Sequence, residues 1–470
     1  MSSPSDPSAT RDAVVNPRLT DQLDIVLAQE DADFAIPHLR GDLPFALDPF
    51  LLWKSPKAEY RTMHDELLRF FEMLRKQMTS GRQGTALDQL MHCHEAVELG
   101  LGYGQGTKRG SAIGVRLGND ILDTMLDVPQ LAEGELTHIE MLGLVVPLVA
   151  EDRISDLTAS ILRGFLMEYT SAQASLHGIP CEQYRLDNVW DAGGTGWTVR
   201  TALLPANPFD GSPMLFAPLD LLRHLQWINY DDYYKSPFAR LVLPPDAAKR
   251  RVLKAAVLER NRRQFVAVER YVRSKEVAAA DCRPDPLFQP LQLSSLQRRI
   301  KELERIAPGR EDGADKKYEQ TVFDLLSSLL HPELDFAANQ VRTTSGAHIR
   351  DVIFYNDGKT EFLSDLRARF DARQIVFELK NVKELSGEHV NQLYRYLDTE
   401  FGRVGVLVTR RPAPRSVLTN IADLHSSKGA VILVLTDDDL RMMLSLQGTV
   451  RRPSDVLKKC YIEFTRRLPK

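Results

Sequence analysis

The last third of the chain changes its hydrophobic period several times, and each change predicts an element. Val322, Phe323, Leu326, Leu329 and Leu330 recur from Glu319 at i+3, i+4, i+7 spacing, which predicts a helix with Glu319 on the face turned toward a sheet. Residues 349–355 form a short β-branched run closed by Asn356-Asp357-Gly358-Lys359, a strand followed by a turn. The apolar run Ile375-Val376-Phe377 continues into Glu378-Leu379-Lys380-Asn381 and predicts a second strand with charge at its end. Residues 387–401 read as an amphipathic helix with Val390, Leu393, Tyr394, Leu397 and Phe401 on the buried stripe, flanked by Gln392 and Tyr396. Strands at 403–409 and 430–435 alternate with helices at 416–427 and 437–446. The order α-β-β-α-β-α-β-α, with two wholly apolar later strands, predicts an α/β unit whose mixed sheet is sandwiched by helices.

The first part reads differently. Helical periodicity covers 60–78, 86–99 and 155–171, and a long basic helix is expected over 246–276. A β interruption at 184–190 and 197–204, joined by Ala192-Gly193-Gly194-Thr195-Gly196, predicts a hairpin inserted in a mainly helical domain. Residues 1–30 are polar, acidic and proline-bearing, the composition of a mobile arm. Residues 277–315, with Pro284, Pro286, Pro290 and a charged helix, read as a linker between a domain at 31–276 and one at 316–470. Two or three domains suit 470 residues.

Composition narrows the setting. Cys93, Cys181, Cys282 and Cys460 stand far apart without a CxxC pair, so neither a zinc ribbon nor a disulfide framework is expected. No apolar run reaches about 18 residues and the first residues lack a signal-peptide core, so the expectation is a cytoplasmic protein with no membrane contact. Residues 316–470 carry 24 Lys and Arg against 20 Asp and Glu, a net of +4, so the whole-chain −4 leaves −8 for residues 1–315. Arg410, Arg411 and Arg415 after one strand, and Arg451, Arg452, Lys458, Lys459, Arg466, Arg467 and Lys470 near the end, are the cations expected to meet a phosphate backbone; solvated surface charge is the plainer reading.

An acidic residue two before a lysine occurs at Asp315/Lys317, Asp357/Lys359 and Glu378/Lys380. The first lies in a charged stretch and the second in a turn. The third ends a β run, where positions i and i+2 share a strand face. Hydrolysis of a phosphodiester needs a cation on the phosphoryl oxygens, an activated water and positive charge where the transition state gathers negative charge. Asp351 and Glu378 offer hard oxygen ligands for Mg²⁺ or Mn²⁺, with the Leu379 carbonyl as a further ligand; Lys380 suits the attacking water or the developing phosphorane, and Glu319 completes the shell through water. The bland counterpart is a surface ion pair of little energetic value.

Together these residues resemble the PD-(D/E)xK nuclease superfamily, the restriction-endonuclease-like fold, over residues 316–470. The resemblance implies that Glu319 is the helical acidic residue, Asp351 the first-motif aspartate, Glu378 with Lys380 the second motif, and Gln392 the glutamine some branches carry on the following helix. Arg350 stands where the motif's name has proline. The resemblance implies a metal-dependent DNA endonuclease whose N-terminal module senses or restrains, acting in prokaryotic defence against foreign DNA, with DNA as partner and a homodimer or a partner defence protein as assembly. A nuclease fold that binds nucleic acid without turnover, or an RNase using the same site, remains open on the residues alone.

Three features of the first half carry weaker signals. Gly100-Leu101-Gly102-Tyr103-Gly104-Gln105-Gly106-Thr107-Lys108-Arg109-Gly110 is a glycine-rich basic loop that lacks GK[ST] and reads as a tight turn before it reads as a phosphate cradle. His92-Cys93-His94-Glu95 has ligand-type residues but misses HExxH, since position 98 is Glu98. Asp152-Arg153-Ile154-Ser155-Asp156 reads as a helix cap.

Overall fold

The computed structural model describes residues 17–102, 113–191, 193, 196–243, 252–336, 351–397 and 402–468, with the backbone but not the side chain of Asp351. The chain forms two compact units, one of Asp33–Pro286 and one that joins Met1–Ala32 to Leu287–Lys470.

The unit built from both ends of the chain holds a five-stranded mixed sheet. Numbered within it, β1 (Asp335–Phe336), β2 (Asp351–Tyr355), β3 (Gln374–Lys380), β4 (Val404–Thr409) and β5 (Val431–Thr436) lie side by side in chain order. The pairs β1/β2 and β2/β3 are antiparallel, and β3/β4 and β4/β5 are parallel. All six residues of β4 are buried, so both faces of the sheet are covered. The covering helices are α1 (Leu293–Arg305), α2 (Ala314–Leu330), α3 (Glu361–Phe370), α4 (Gly387–Tyr394), α5 (Arg415–Lys428), α6 (Asp437–Leu446) and α7 (Asp455–Arg467). Their starts follow from local chemistry: the Thr360 hydroxyl accepts from the Leu363 amide, and Thr436 and Asp439 cap one another's amides at the head of α6.

Several expectations change here. Residues 17–32 are not a mobile arm: the Arg18 side chain is 3% exposed and paired with Asp21, Asp335 and Asp357. Residues 1–16 lie outside the described residues. The helix expected within a linker is α1, whose Leu296, Ile300 and Leu303 belong to the same core as the sheet. The helix expected over 387–401 ends at Tyr394, and Phe401 lies outside the described residues. Helices α3 and α7 were not foreseen: α3 stands between β2 and β3 where only a turn, hairpin or loop, was expected, and α7 carries Lys458, Lys459, Arg466 and Arg467 on its exposed face.

The Asp33–Pro286 unit is mainly helical, with an antiparallel hairpin of Glu182–Asp191 and Gly196–Leu204. The helix expected over 155–171 is two, Glu151–Ile161 and Arg163–Leu176, and the basic helix is broken into Lys254–Arg263 and Val266–Val277. Residues 244–251, and 103–112 of the glycine loop, lie outside the described residues. Ser155 does not cap a helix; its hydroxyl accepts from the Leu47 amide at 3.0 Å. His92 is held by Asn188, Nδ1 to Oδ1 at 2.8 Å. Among the described residues no helix is long and apolar enough to cross a membrane.

Candidate functional site

Strand β3 is buried along its length until Lys380, because Ile375, Val376, Phe377 and Leu379 fill both faces of the sheet. Glu378 is carried into that interior with 0% exposure. Lys380, two residues on and 15% exposed, forms an ion pair with it. The Lys380 ammonium also donates to Gln392 Oε1 at 3.2 Å. Asp351 stands directly opposite Glu378 in the antiparallel register, and such partners have Cα atoms about 4.5–5.5 Å apart.

Stability does not explain charges at this position. Removing a carboxylate and an ammonium from water costs several kcal/mol per ion, and an apolar pair of similar volume is often as stable or more so by roughly 1–4 kcal/mol. The surrounding positions show that apolar residues suit this strand well.

Gln392 reaches Lys380 because α4 lies close on the sheet. Ser386 starts this helix, with the His389 Nδ1 accepting from the Ser386 amide at 3.0 Å. Leu393 packs on Gly405 of β4 so tightly that a Cβ there would stand 2.9 Å from Leu393 Cδ2. The neighbouring Gln392 is thereby set beside the end of β3. Burial, then Lys380, lower the His389 pKa, with Arg310 acting in the same direction.

Glu319 is half-buried on α2, the helix that packs on β3, one residue after Tyr318. The Tyr318 hydroxyl donates to Asp437 Oδ1 at 3.2 Å. Glu378, Lys380 and Gln392 are thus brought together by side-chain contacts, Asp351 is placed opposite by register, and Glu319 is placed on the adjacent helix.

A polar cluster not foreseen lies at the same ends of the strands. Arg410, one residue past β4, pairs with Asp437, one residue past β5, at 2.7 Å. It also donates to the carbonyls of Ile306 at 2.6 Å and Leu303 at 3.2 Å and to Asn381 Oδ1 at 3.2 Å, and lies over the Tyr318 ring. Arg410, expected to meet a phosphate backbone, is therefore a half-buried joint within the fold; Arg411 and Arg415 are exposed. The register brings this pair together: Thr409 and Thr436 are partners, so the opposite charges directly after them meet.

The Asp33–Pro286 unit has its own buried ionisable group. Both Glu140 oxygens are buried, and burial, then Asp48, push its pKa well above the usual value. Asp48 accepts from the amides of Phe50 at 3.0 Å and Trp227 at 2.8 Å and pairs with Arg223.

As for donors, the described residues hold no group of three or more His, Cys, Asp or Glu side chains arranged for a metal ion; the Asp351 side chain is not among them. A buried carboxylate opposite a second acidic position nevertheless has the oxygen chemistry that Mg²⁺ or Mn²⁺ takes.

A family model reaches mainly the other unit. Residues 24–229 match the family model of a domain of unknown function, DUF8370. A stretch of 79 residues is 34% identical to the putative transposon gamma-delta 80.3 kDa protein of Escherichia coli (strain K12), covering 17% of this chain and 11% of that protein's length. No solved structure matches.

Proposed function

We propose that the C-terminal sheet carries a metal-dependent DNA endonuclease site of the PD-(D/E)xK, restriction-endonuclease-like kind. The observation that supports it most is the contact chain Glu378–Lys380–Gln392 at the end of β3, with Asp351 opposite Glu378 in register. The mixed sheet, two antiparallel steps followed by two parallel ones with helices on both faces, suits the same fold.

Asp351, Glu378 and the Leu379 carbonyl would hold Mg²⁺ or Mn²⁺, with Glu319 contributing through water. The ion would supply charge on the phosphoryl oxygens and a more acidic water. Glu378 holds the Lys380 ammonium by its charge, and Gln392 fixes the direction of one of its N–H donors. A lysine so held presents its remaining protons to the attacking water or to the oxygens that gain charge in the transition state. Pre-orientation matters because an ammonium on four methylenes otherwise samples many rotamers. The Asp33–Pro286 unit is assigned recognition or restraint, since unrestrained cutting of resident DNA would be toxic; defence against foreign DNA, in the cytoplasm, is the setting this suits.

Plasmid DNA incubated with Mg²⁺ or Mn²⁺ tests the reading, with EDTA and the variants Glu378→Ala and Lys380→Ala as controls. Metal-dependent nicking or linearisation is expected, falling at least about 10²-fold in each variant. A labelled RNA strand in the same buffer separates a DNase from an RNase. Intact DNA and RNA under all conditions, with no metal bound, would reject the nuclease in favour of a non-catalytic nucleic-acid-binding fold.

A further inference from the structure

The segment between α1 and α2 is tied to the end of β3 by an unusual density of hydrogen bonds. Asn381 follows Lys380 directly and is 5% exposed. Its side-chain amide donates to the carbonyls of Ala307 at 2.9 Å and Gly309 at 2.8 Å, and its backbone carbonyl accepts from the Gly309 amide at 2.9 Å. Arg410 ties the same segment from the other side through the carbonyls of Ile306 and Leu303, and reaches Asn381 itself. Gly309 has φ +117°, a backbone conformation side chains disfavour, so the turn at that point is built for glycine.

The consequence is the placement of Arg310. It is the residue next to the Gly309–Asn381 bond, so its backbone is held beside the strand end that carries Lys380. Its side chain is exposed and makes no hydrogen bond or ion pair among the described residues. Arg410 is spent within the fold, whereas Arg310 carries five open N–H donors on a backbone held beside the strand end. The field it shares with Lys380 is felt at His389, whose imidazole both push toward the neutral form.

We propose that Arg310 grips a backbone phosphate of the nucleic acid at this site, and that Asn381 is its positioning residue. The proposal rests on the nuclease reading and adds to it where the substrate strand runs: from Lys380 toward the α1–α2 segment. Guanidinium suits this role because it donates two parallel N–H bonds to phosphate oxygens.

Fluorescence anisotropy of the full-length protein with a labelled short DNA duplex in EDTA reads binding apart from cutting. Arg310→Ala is expected to weaken binding about tenfold and to lower the slope of log affinity against log salt by about one. Arg310→Lys should recover the slope and part of the affinity. With Mg²⁺, Arg310→Ala should raise KM and leave kcat near the wild-type value. Asn381→Ala should produce the same KM change and add little on top of Arg310→Ala, because both act through one contact. Effects that add in full would remove Asn381 from this role. Unchanged affinity, salt slope and KM in Arg310→Ala, with a wild type that binds and cuts, would overturn the proposal and leave the nuclease reading standing. A wild type that neither binds nor cuts nucleic acid would overturn both.

Discussion

Glu378 and Glu140 are both buried carboxyl groups, set among different neighbours. Glu378 has the Lys380 ammonium beside it, in a strand whose neighbours are apolar. Around Glu140, burial foremost and then the Asp48 carboxylate raise the pKa, so folding favours its protonated form. The sign of the consequence is fixed. Above the ordinary glutamate value the unfolded chain releases the proton that the folded chain keeps, so stability falls as pH rises through that range until the raised folded value is reached. The slope is about 1.4 kcal/mol per pH unit for one proton. Glu140→Gln keeps the shape and removes the proton, and is expected to be more stable than wild type at pH 8 with a flatter pH dependence. All four tryptophans, Trp53, Trp190, Trp197 and Trp227, lie in the Asp33–Pro286 unit, so their fluorescence during urea unfolding follows this unit. Equal pH slopes in the two proteins would show that Glu140 is ionised in the fold.

At the scale of elements, the close approach of α4 to β4 carries the argument from packing to chemistry. Gly405 has no side chain to hold Leu393 away, and a Cβ there would lie 2.9–3.1 Å from three of its carbon atoms, including the branch point Cγ. Gly405→Ala is therefore expected to push α4 outward, at a cost of about 1–3 kcal/mol, and to lengthen the Lys380–Gln392 contact on the adjacent residue. Its activity should fall toward that of Gln392→Ala, whereas Val406→Ala, which opens space without pushing α4, should lose stability alone. Activity at the wild-type level in a destabilised Gly405→Ala protein would separate packing from the site. This coupling was not legible in the sequence, although β3, β4, β5 and the helices between them were, because buried parallel strands write themselves as continuous apolar runs. Helix α3 was missed for the opposite reason: Glu361-Phe362-Leu363-Ser364-Asp365-Leu366 follows a turn signal strong enough to suggest a hairpin. The positions of Glu378 and Lys380 could be read from strand alternation. The roles of Asn381 and Arg410 could not, since each depends on contacts with residues 27 to 107 positions away.

At the scale of the whole molecule, the unit with the candidate site is completed by the opposite end of the chain. Residues 17–32 lie on it, and the chain returns to it only at Leu287. Arg18 is the centre of that attachment, with Asp357 at 2.6 Å, Asp335 at 3.1 Å and Asp21 at 3.3 Å, its guanidinium 3.9 Å from the Tyr355 ring centroid. Lys359–Glu30 and the contacts of Asp24 with Arg367 and Arg373 extend it toward the surface. These pairs differ in kind. The outer ones are partly exposed, screened by salt and individually weak. Arg18 and Asp357 are buried, so removing the cation leaves a carboxylate unpaired in the interior, a loss of about 3–5 kcal/mol. Arg18→Ala is expected to speed hydrogen exchange along β2 and residues 17–32 while the tryptophan-monitored unfolding of the other unit stays in place. The outer contacts add a pH dependence of known sign: the hydrogen bond from Arg373, foremost, lowers the Asp24 pKa, so its hold is complete above the ordinary aspartate value and is lost as pH falls through the depressed one. Exchange along residues 17–32 should therefore accelerate on acidification beyond the intrinsic chemical rate, and Asp24→Asn should abolish that excess. If Arg18→Ala leaves exchange along β2 unchanged, the first residues are an ornament on a unit that is complete without them.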